Sequence, residues 1–440
     1  LTGQPANRHR SEYEKFVSMS EIIKSLPGFR DFLPLDAARR NVITSTWRQV
    51  ARQHGFHEFD GPMLETLDLY ARKNEGGEEI LKQLYRFEDG GGRSVALRPE
   101  MTPTLARIIG AREKDFRKPI KWFSSGSFFR YERQQKGRLR EFLQLNCDLL
   151  GDSSPAADAE LLALAVNTLR AFGLTSEDIV VRISHRGAWA DFLKARGLNP
   201  DQSAQVLQVV DKIERENDET LQKRLEGTSL TLKDLKAFIE DSKAPALEEL
   251  ISDFHARGLA DYLNIDLSIV RGLAYYTGFV FEIFDRRGEH RALAGGGRYD
   301  GLVKALGGGK ADLPAVGFGM GDVVLANLLD SLPHTKARLA AASNDQLQVD
   351  LYVIIADEGK RGEALRVIER LRSAGKRVEF PLASARVGKQ FQAAEACGAK
   401  LAVIIGSEFP NLKIKDLSNR QEIEIPEAEL ADWIKTKHSA

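Results

Sequence analysis

IKWFSSGSFFRYERQQKGRLREFLQLNCDLL, residues 120–150, sets the reading of the whole chain. Residues 120–131 and 141–150 are strand-like runs, and they flank a short basic loop. The loop 133–140 places Arg133, Lys136, Arg138 and Arg140 within eight residues, with Arg130 closing the first strand. Arginine's planar fork suits phosphate oxygens, and a basic hairpin loop can track a nucleic-acid backbone. A solvated hairpin tip is the competing reading, about equally weighted on charge alone. On the second run Gln144 and Asp148 are four apart, so a strand would turn both to one face. An aspartate among Leu143, Leu145, Leu149 and Leu150 is costly to bury without a partner, which points to a pocket for a polar ligand. An ordinary satisfied hydrogen bond would explain it equally well.

Working outward, the spacing predicts a helix over about 36–53, with Asp36 as its N-cap and Gly55 ending it. A short strand at 56–59 precedes Gly61-Pro62. Residues 81–97, containing YRFEDGGGRSVAL, read as a hairpin turning at Gly90, Gly91 and Gly92. A helix is expected over 155–172 and a strand at 179–184. From about 186 to 256 the chain becomes charged and helix-periodic, the mark of a helical insertion. Strands resume at 266–270 and 279–285, Gly295-Gly296-Gly297 follows, and a helix near 320–331 closes the unit. Residues 332–346 are linker-like. Beyond them VDLYVII (349–355), a helix over 359–374, the strand RVEFPL, a helix over 386–397 and KLAVIIG (400–406) alternate. That rhythm predicts an α/β domain with a mostly parallel sheet.

Composition limits the possibilities. The chain has 440 residues, which suits two to four domains, and 42% of them are hydrophobic, which rules out wholesale disorder. No apolar run is long enough for a membrane span. Cys147 and Cys397 are the two cysteines, too few for a disulfide framework and outside any zinc spacing, so a cytoplasmic setting is expected. The 63 basic and 63 acidic side chains cancel, which argues against an overall basic coat but leaves a local basic groove open. Residues 1–18 are polar, lack an apolar signal core, and read as a disordered leader.

Other stretches carry possible chemistry. In Arg98-Pro99-Glu100-Met101-Thr102, an acid and a hydroxyl sit just after a strand. They could hold an ammonium group or merely cap the following helix. Tyr275 and Tyr276, after Arg271, offer hydroxyls that can read an imidazole or hydroxyl ligand. Gly295, Gly296 and Gly297 allow close backbone approach to a ligand, or only a turn. Neither the P-loop pattern nor a strand-following GxGxxG is present. The histidines form no metal spacing and no GxSxG nucleophile elbow appears.

In this order GFRDFLP (28–34), ALRPEMTPTLAR (96–107), SFFRYERQQKGRLREF (127–142), VRGLAYYTG (270–278) and AGGGRYDGLV (294–303) make the chain resemble the histidyl-tRNA synthetases, class II aminoacyl-tRNA synthetases, over about residues 20–440. VGKQFQAAEACGAKLAVIIG (387–406) and LKIKDLSNRQ (412–421) extend the resemblance to the C-terminus. It implies an α+β architecture. An antiparallel-sheet catalytic domain would occupy residues 19–331 with its helical insertion at about 186–256, and an α/β anticodon-binding domain 347–440 beyond the linker. It also implies a homodimer through motif 1, the helix 36–53 with the strand after it and Pro62. The implied reaction joins L-histidine and ATP, with Mg2+ bridging phosphates, into histidyl-adenylate. The histidyl group then passes to the 3′ end of tRNA(His). Arg130 and Arg271 would grip the α-phosphate from opposite sides, Arg138 the outer phosphates. Glu132 and Phe142 would position adenine, Phe142 by stacking. Glu100, Thr102 and Gln144 match positions holding the α-amino group, Asp148 and Tyr276 match positions near the imidazole, and Tyr275 is a further candidate for binding histidine.

The chain departs from the family pattern at three places. Asp148 stands where many bacterial members carry glutamate, and Ala274 replaces a common aspartate. In Gly321-Asp322-Val323-Val324-Leu325, Val324 takes the place of the motif 3 arginine that normally grips the γ-phosphate. Losing that charge-assisted contact costs about 1.5–3 kcal/mol unless another group replaces it. Arg133, Lys136 and Arg298 are the candidate replacements. Two functions follow: an active histidine–tRNA ligase, or a non-catalytic histidine-binding paralogue such as the regulatory subunit of ATP phosphoribosyltransferase. The anticodon-domain match and the Arg271 segment favour the ligase. Lys415 and Arg420 are candidates to touch the anticodon stem-loop, with exposed surface charge the plainer reading.

Overall fold

The computed structural model describes residues 23–71, 81–132, 137–241, 243–270, 275–307, 309, 311–430 and 432–433. The expected leader 1–18, Arg133, Lys136 and Arg271 lie outside the described residues. Two compact units are resolved: Leu1–Phe32 with Ile43–Arg338, and Leu33–Val42 with Leu339–Ala440.

The first unit carries the strands β1 (His57–Glu58), β2 (Leu64–Thr66), β3 (Arg86–Glu88), β4 (Ser94–Leu97), β5 (Ile120–Phe129), β6 (Glu141–Leu150), β7 (Ile179–His185), β8 (Leu263–Ile265), β9 (Phe279–Asp285), β10 (Ala294–Arg298) and β11 (Ala315–Gly321). Eight of them form one sheet in the order β1-β5-β6-β11-β10-β9-β7-β8, and β2-β4-β3 form a small one. The large sheet is antiparallel except at its edges, where β1 pairs with β5 and β7 with β8 in parallel. This is the antiparallel catalytic sheet expected from the sequence. Its two long central strands, β5 and β6, are the runs on either side of the basic loop. The helix Pro155–Ala171 opens with Ser154 accepting from the Ala157 amide and is buried along most of its length. The insertion is helical as expected, with helices Arg186–Ala195, Pro200–Val210, Asp218–Arg224, Leu232–Asp241 and Glu248–Ala256. Trp189 anchors it, donating its indole N–H to the Leu267 carbonyl at 2.7 Å.

Local readings differ from the structure in four places. The first long helix is Pro34–Gln53, and Asp36 lies inside its first turn rather than capping it. Proline suits the first helical position because its missing N–H would have no partner there. The strand expected at 266–270 is instead β8, Leu263–Ile265. Asp266 accepts from the Ser268 amide and hydroxyl and turns the chain. The triplet Gly295-Gly296-Gly297 is the interior of β10, not a turn. The linker-like stretch 332–346 falls almost entirely within a helix, Pro333–Leu347.

The second unit holds β12 (Leu351–Ile355), β13 (Val378–Glu379), β14 (Leu401–Ile405), β15 (Asn411–Asp416) and β16 (Glu422–Pro426). Their order is β13-β12-β14-β15-β16. The first three run parallel, as the strand–helix alternation implied, while β15 and β16 add an antiparallel hairpin. Gln390, on the helix Val387–Ala396, is buried and bonds both the N–H and the C=O of Ile355 on β12.

Glu160 ties four elements of the first unit together. Its carboxylate meets His54 Nδ1 at 3.2 Å, Lys121 Nζ at 3.1 Å and Arg257 Nη1 at 2.9 Å. The His54 hydrogen bond is the largest of the effects that lower its pKa from 4.5 to about 2. A depressed carboxyl stabilises the fold above its unfolded pKa, and that stabilisation is lost as pH falls toward the folded value. Glu160→Gln should therefore lower stability by about 1–3 kcal/mol at pH 7 and by progressively less between pH 4.5 and pH 2. Urea midpoints across that range check it; a deficit that does not shrink with acid contradicts the assignment.

Candidate active site

Strand alternation builds the site. Gln144, Asn146 and Asp148 lie on one face of β6, and across the sheet they pair with Gly321, Gly319 and Gly317 of β11. At 317 and 319 a side chain would collide with this row, whereas Gly321 faces open space. A Cβ on Gly317 would stand 2.1 Å from Asp148 Oδ1, and one on Gly319 would stand 2.1 Å from Gln144 Nε2. On β10 a Cβ at Gly297 would meet the Val280 side chain at 2.8 Å and the Tyr276 ring at 3.0 Å. On β5 a Cβ at Gly126 would meet Arg98 Nη2 at 2.6 Å. The polar side chains of β6 thus lie over a floor from which side chains have been removed.

Asn146 and Asp148 are buried, Gln144 is half-buried, and the row is only partly satisfied. Asp148 accepts a short hydrogen bond from the Tyr299 hydroxyl on Oδ1. Gln144 Oε1, Asn146 Oδ1, Asp148 Oδ2, Ser124 Oγ and Arg98 Nη2 are buried with no partner among the described residues. Unpaired buried polar atoms are costly, and grouping them on one face makes sense where a polar ligand completes them. Burial pushes the Asp148 carboxyl up to about 7, the Tyr299 hydrogen bond opposes that rise, and the Glu100 carboxylate adds to it. Asp148 and Glu100 are thus close enough to repel one another, an electrostatic setting that favours a cation between them.

Glu100 and Thr102 are both buried, at the start of the helix Thr102–Arg112. The helix begins after Met101, whose side chain makes no capping hydrogen bond, and Thr102 lies inside its first turn. Tyr275 and Tyr276 pack together with ring centroids 4.8 Å apart, and Tyr275 meets the Tyr299 ring edge-on. Tyr276 is held through its carbonyl, which accepts from Arg186 Nη1 at 2.8 Å.

At the other end of β6 the rim is cationic. Arg130 donates Nε to the Pro99 carbonyl at 3.0 Å, and its guanidinium lies 5.2 Å from the Phe142 ring centroid. Arg138 and Glu132, expected to serve the outer phosphates and the adenine, form an ion pair at 2.5 Å. Arg30, from the GFRDFLP segment, pairs with Asp322 at 2.7 Å, and the other oxygen of Asp322 accepts from the Leu143 amide. This couples the N-terminal motif to the start of motif 3. Of the replacements considered for the missing arginine, Arg298 is turned away. It lies on the opposite face of β10 from Gly297 and binds Asp158 and Asp300.

The expected residues Arg130, Glu132, Arg138 and Phe142 thus gather at one end of β6, and Gln144, Asp148, Glu100 and Tyr276 along its face. Asn146, Ser124, Arg98 and Tyr299 were not singled out. For Asn146 and Tyr299 the signal was available in strand parity: Asn146 lies between Gln144 and Asp148, and Tyr299 is two residues from Gly297. In the second unit, Lys415 Nζ lies 5.1 Å over the Phe391 ring and Arg420 is exposed in the β15–β16 turn.

Comparison with known proteins adds a family likeness to this geometry. A family model described as histidyl-tRNA synthetase matches residues 28–322, and one described as anticodon binding domain matches residues 350–437. The histidine–tRNA ligase of Opitutus terrae is 44% identical, covering 94% of this chain and 98% of that one. The histidine–tRNA ligase of Natronomonas pharaonis is 37% identical, covering 91% and 95%. The histidyl-tRNA synthetase structure from Nostoc is 25% identical with a TM-score of 0.75, covering 95% of this chain and all of that one. A Bacillus halodurans structure titled ATP phosphoribosyltransferase regulatory subunit/histidyl-tRNA synthetase shares the fold at 23% identity and a TM-score of 0.66.

The raised Asp148 pKa gives a test of the pocket's electrostatics. The folded chain keeps this proton where the unfolded chain has lost it, so the parent's stability falls between about pH 4 and about pH 7. Asp148→Asn, which cannot ionise, should gain stability relative to the parent over that window, by at most about 1.4 kcal/mol for each pH unit crossed. Denaturation midpoints of both proteins from about pH 4 to about pH 8 measure it, and a constant difference would contradict the burial of an ionisable Asp148.

Proposed function

The chain belongs to the histidyl-tRNA synthetase family, and from that premise we propose how its own residues carry the reaction. Its activity is that of an aminoacyl-tRNA ligase that joins histidine to tRNA at the expense of ATP. The regulatory-subunit alternative is less supported, because the matches to histidine–tRNA ligases span nearly the whole chain and include an anticodon-binding domain.

One observation carries the assignment of the pocket: the partly unsatisfied row Gln144, Asn146 and Asp148 over a glycine floor, beside Arg130 and Phe142. In this reading histidine lies along β6. Asp148 Oδ2 takes an imidazole N–H, with Tyr275 and Tyr276 flanking the ring. Glu100, Thr102 and Gln144 hold the α-amino group. ATP lies across the end of the strand, its adenine against Phe142 and near Glu132. Magnesium arrives with ATP as part of that substrate. A carboxylate oxygen of histidine attacks the α-phosphorus, the bond to the bridging oxygen breaks, and pyrophosphate leaves with its electron pair. Two anions must approach for this to happen, so cations placed beforehand on the phosphoryl oxygens are the main device. Arg130 from motif 2 and Arg271 fill that role. The terminal ribose hydroxyl of tRNA then attacks the activated carbonyl, losing its proton as AMP departs.

Met63 and Leu64 are exposed apolar residues beside the motif 1 proline, as suits a homodimer face. The two cysteines are free, as suits the cytoplasm. Lys415 and Arg420 are the proposed contacts of the second unit with tRNA(His).

The pure protein should exchange pyrophosphate into ATP only when histidine is present. Arg271→Ala should cut that exchange by roughly 100-fold, because its contact strengthens in the transition state, while the thermal midpoint stays close to the parent's. A near-normal rate in the variant would remove Arg271 from the chemistry.

A further inference from the structure

Val324 leaves motif 3 without its usual cation, and the surroundings of that valine hold another one. A Cβ built on Gly137, in the motif 2 loop, would lie 3.4 Å from Val324 Cγ2 and 3.8 Å from Arg291 Cδ. The two side chains therefore converge on one point beside the phosphate-binding loop. Gly137 has φ of +82°, a backbone state that favours glycine, and its lack of a side chain keeps the point open. Arg291 precedes β10 in the segment GEHRALAGGG, where the chain leads into the floor of the active site.

The electrostatics are those of an anion site. Arg291 Nη1 is buried and has no hydrogen-bond partner among the described residues. Burial lowers its pKa most, and repulsion from Arg138 and Arg215 lowers it further, with Glu132 opposing. Glu132 offsets part of this repulsion, and an anion bound among the three guanidinium groups would offset the rest. Arg138, whose partner is Glu132, is the residue expected at ATP's outer phosphates. Arg298, the other described candidate, is committed to Asp158 on the far face of the sheet.

We propose that Arg291 supplies the guanidinium that motif 3 lacks at Val324, and that it grips the outer phosphates of ATP and the pyrophosphate leaving group. The cation has changed its place in the sequence while serving the same place in space. It enters from the loop before β10 rather than from the helix Asp322–Ser331, and the valine leaves room for it. Arg291 is thus a binding residue for the part of ATP that departs, and it makes no contact with histidine or the adenylate. The proposal rests on the ligase reading above.

Histidine-dependent pyrophosphate exchange by the full chain tests it. Arg291→Ala should raise the KM for ATP about 10- to 100-fold, the worth of one charge-assisted contact. The KM for histidine and the affinity for a non-hydrolysable histidyl-adenylate analogue, which lacks the outer phosphates, should stay within about twofold, since neither meets Arg291. Arg291→Lys, which keeps the charge but loses the fork, should fall between the two and serves as the readout if the alanine variant does not fold. Placing an arginine back in motif 3, Val324→Arg in the Arg291→Ala background, should recover at least part of the lost ATP affinity. An unchanged KM for ATP in Arg291→Ala, or an equal loss of affinity for the adenylate analogue, would overturn the assignment while leaving the ligase reading intact. A parent protein with no histidine-dependent exchange would overturn both.

Discussion

The site depends on a steric constraint in the middle of the large sheet. Asp148 and Gln144 reach sideways from β6 into space that a neighbouring Cβ on β11 would occupy at 2.1 Å. The short Asp148 side chain cannot swing clear of such an overlap, and the longer Gln144 could do so only by moving its amide out of the row. Glycines at 317 and 319 are therefore a condition for the pocket, and Gly126 and Gly297 extend the same clearance to the strands β5 and β10. The cost is the loss of packing and of strand propensity at the centre of a sheet. The helix Pro155–Ala171 and the apolar opposite faces of these strands offset it.

That constraint explains the electrostatics built on it. With side chains cleared from the floor, Asp148 is enclosed deeply enough for its carboxyl to titrate at about 7, and the Tyr299 hydroxyl holds one of its oxygens. The other oxygen and the amide oxygens of Gln144 and Asn146 are left for a ligand. A few residues along the same strand the sign of the charge reverses: Arg130, Arg138 and Arg291 bring positive charge where phosphates must be held. In the proposed reading, one strand presents an acidic, hydrogen-bonding half to the amino acid and leads to a cationic half for the nucleotide. The balanced total of 63 basic and 63 acidic residues conceals this separation.

Much of this was legible because it is local. The strands on either side of the basic loop, the helical insertion and the strand–helix alternation of the C-terminal unit each follow from short-range periodicity. The motif segments added the order in which those elements assemble. What could not be read was the non-local replacement at Val324. Residues 291 and 324 belong to different elements, and only folding brings them to the same glycine. Arg298 is one of the cations the sequence offers near motif 3, but strand alternation sends it to the opposite face, toward Asp158. The glycine triplet itself could have been a turn; the pairing of β10 with both β9 and β11 makes it the floor. The C-terminal hairpin β15–β16 was missed for a similar reason. Its alternation of charged and apolar residues is regular, but only its partner β14 determines that it runs antiparallel.

The central claim is that the polar row of β6 is the histidine pocket and that it leads into a phosphate site completed by Arg291. A crystal structure of the protein with histidine and a non-hydrolysable ATP analogue tests this most directly. The account predicts an imidazole nitrogen within about 3 Å of Asp148 Oδ2, and a γ-phosphate oxygen within about 3 Å of an Arg291 guanidinium nitrogen beside Val324. Histidine bound elsewhere, with Gln144 and Asp148 facing only water, or outer phosphates held on the far side of the loop from Arg291, would contradict it.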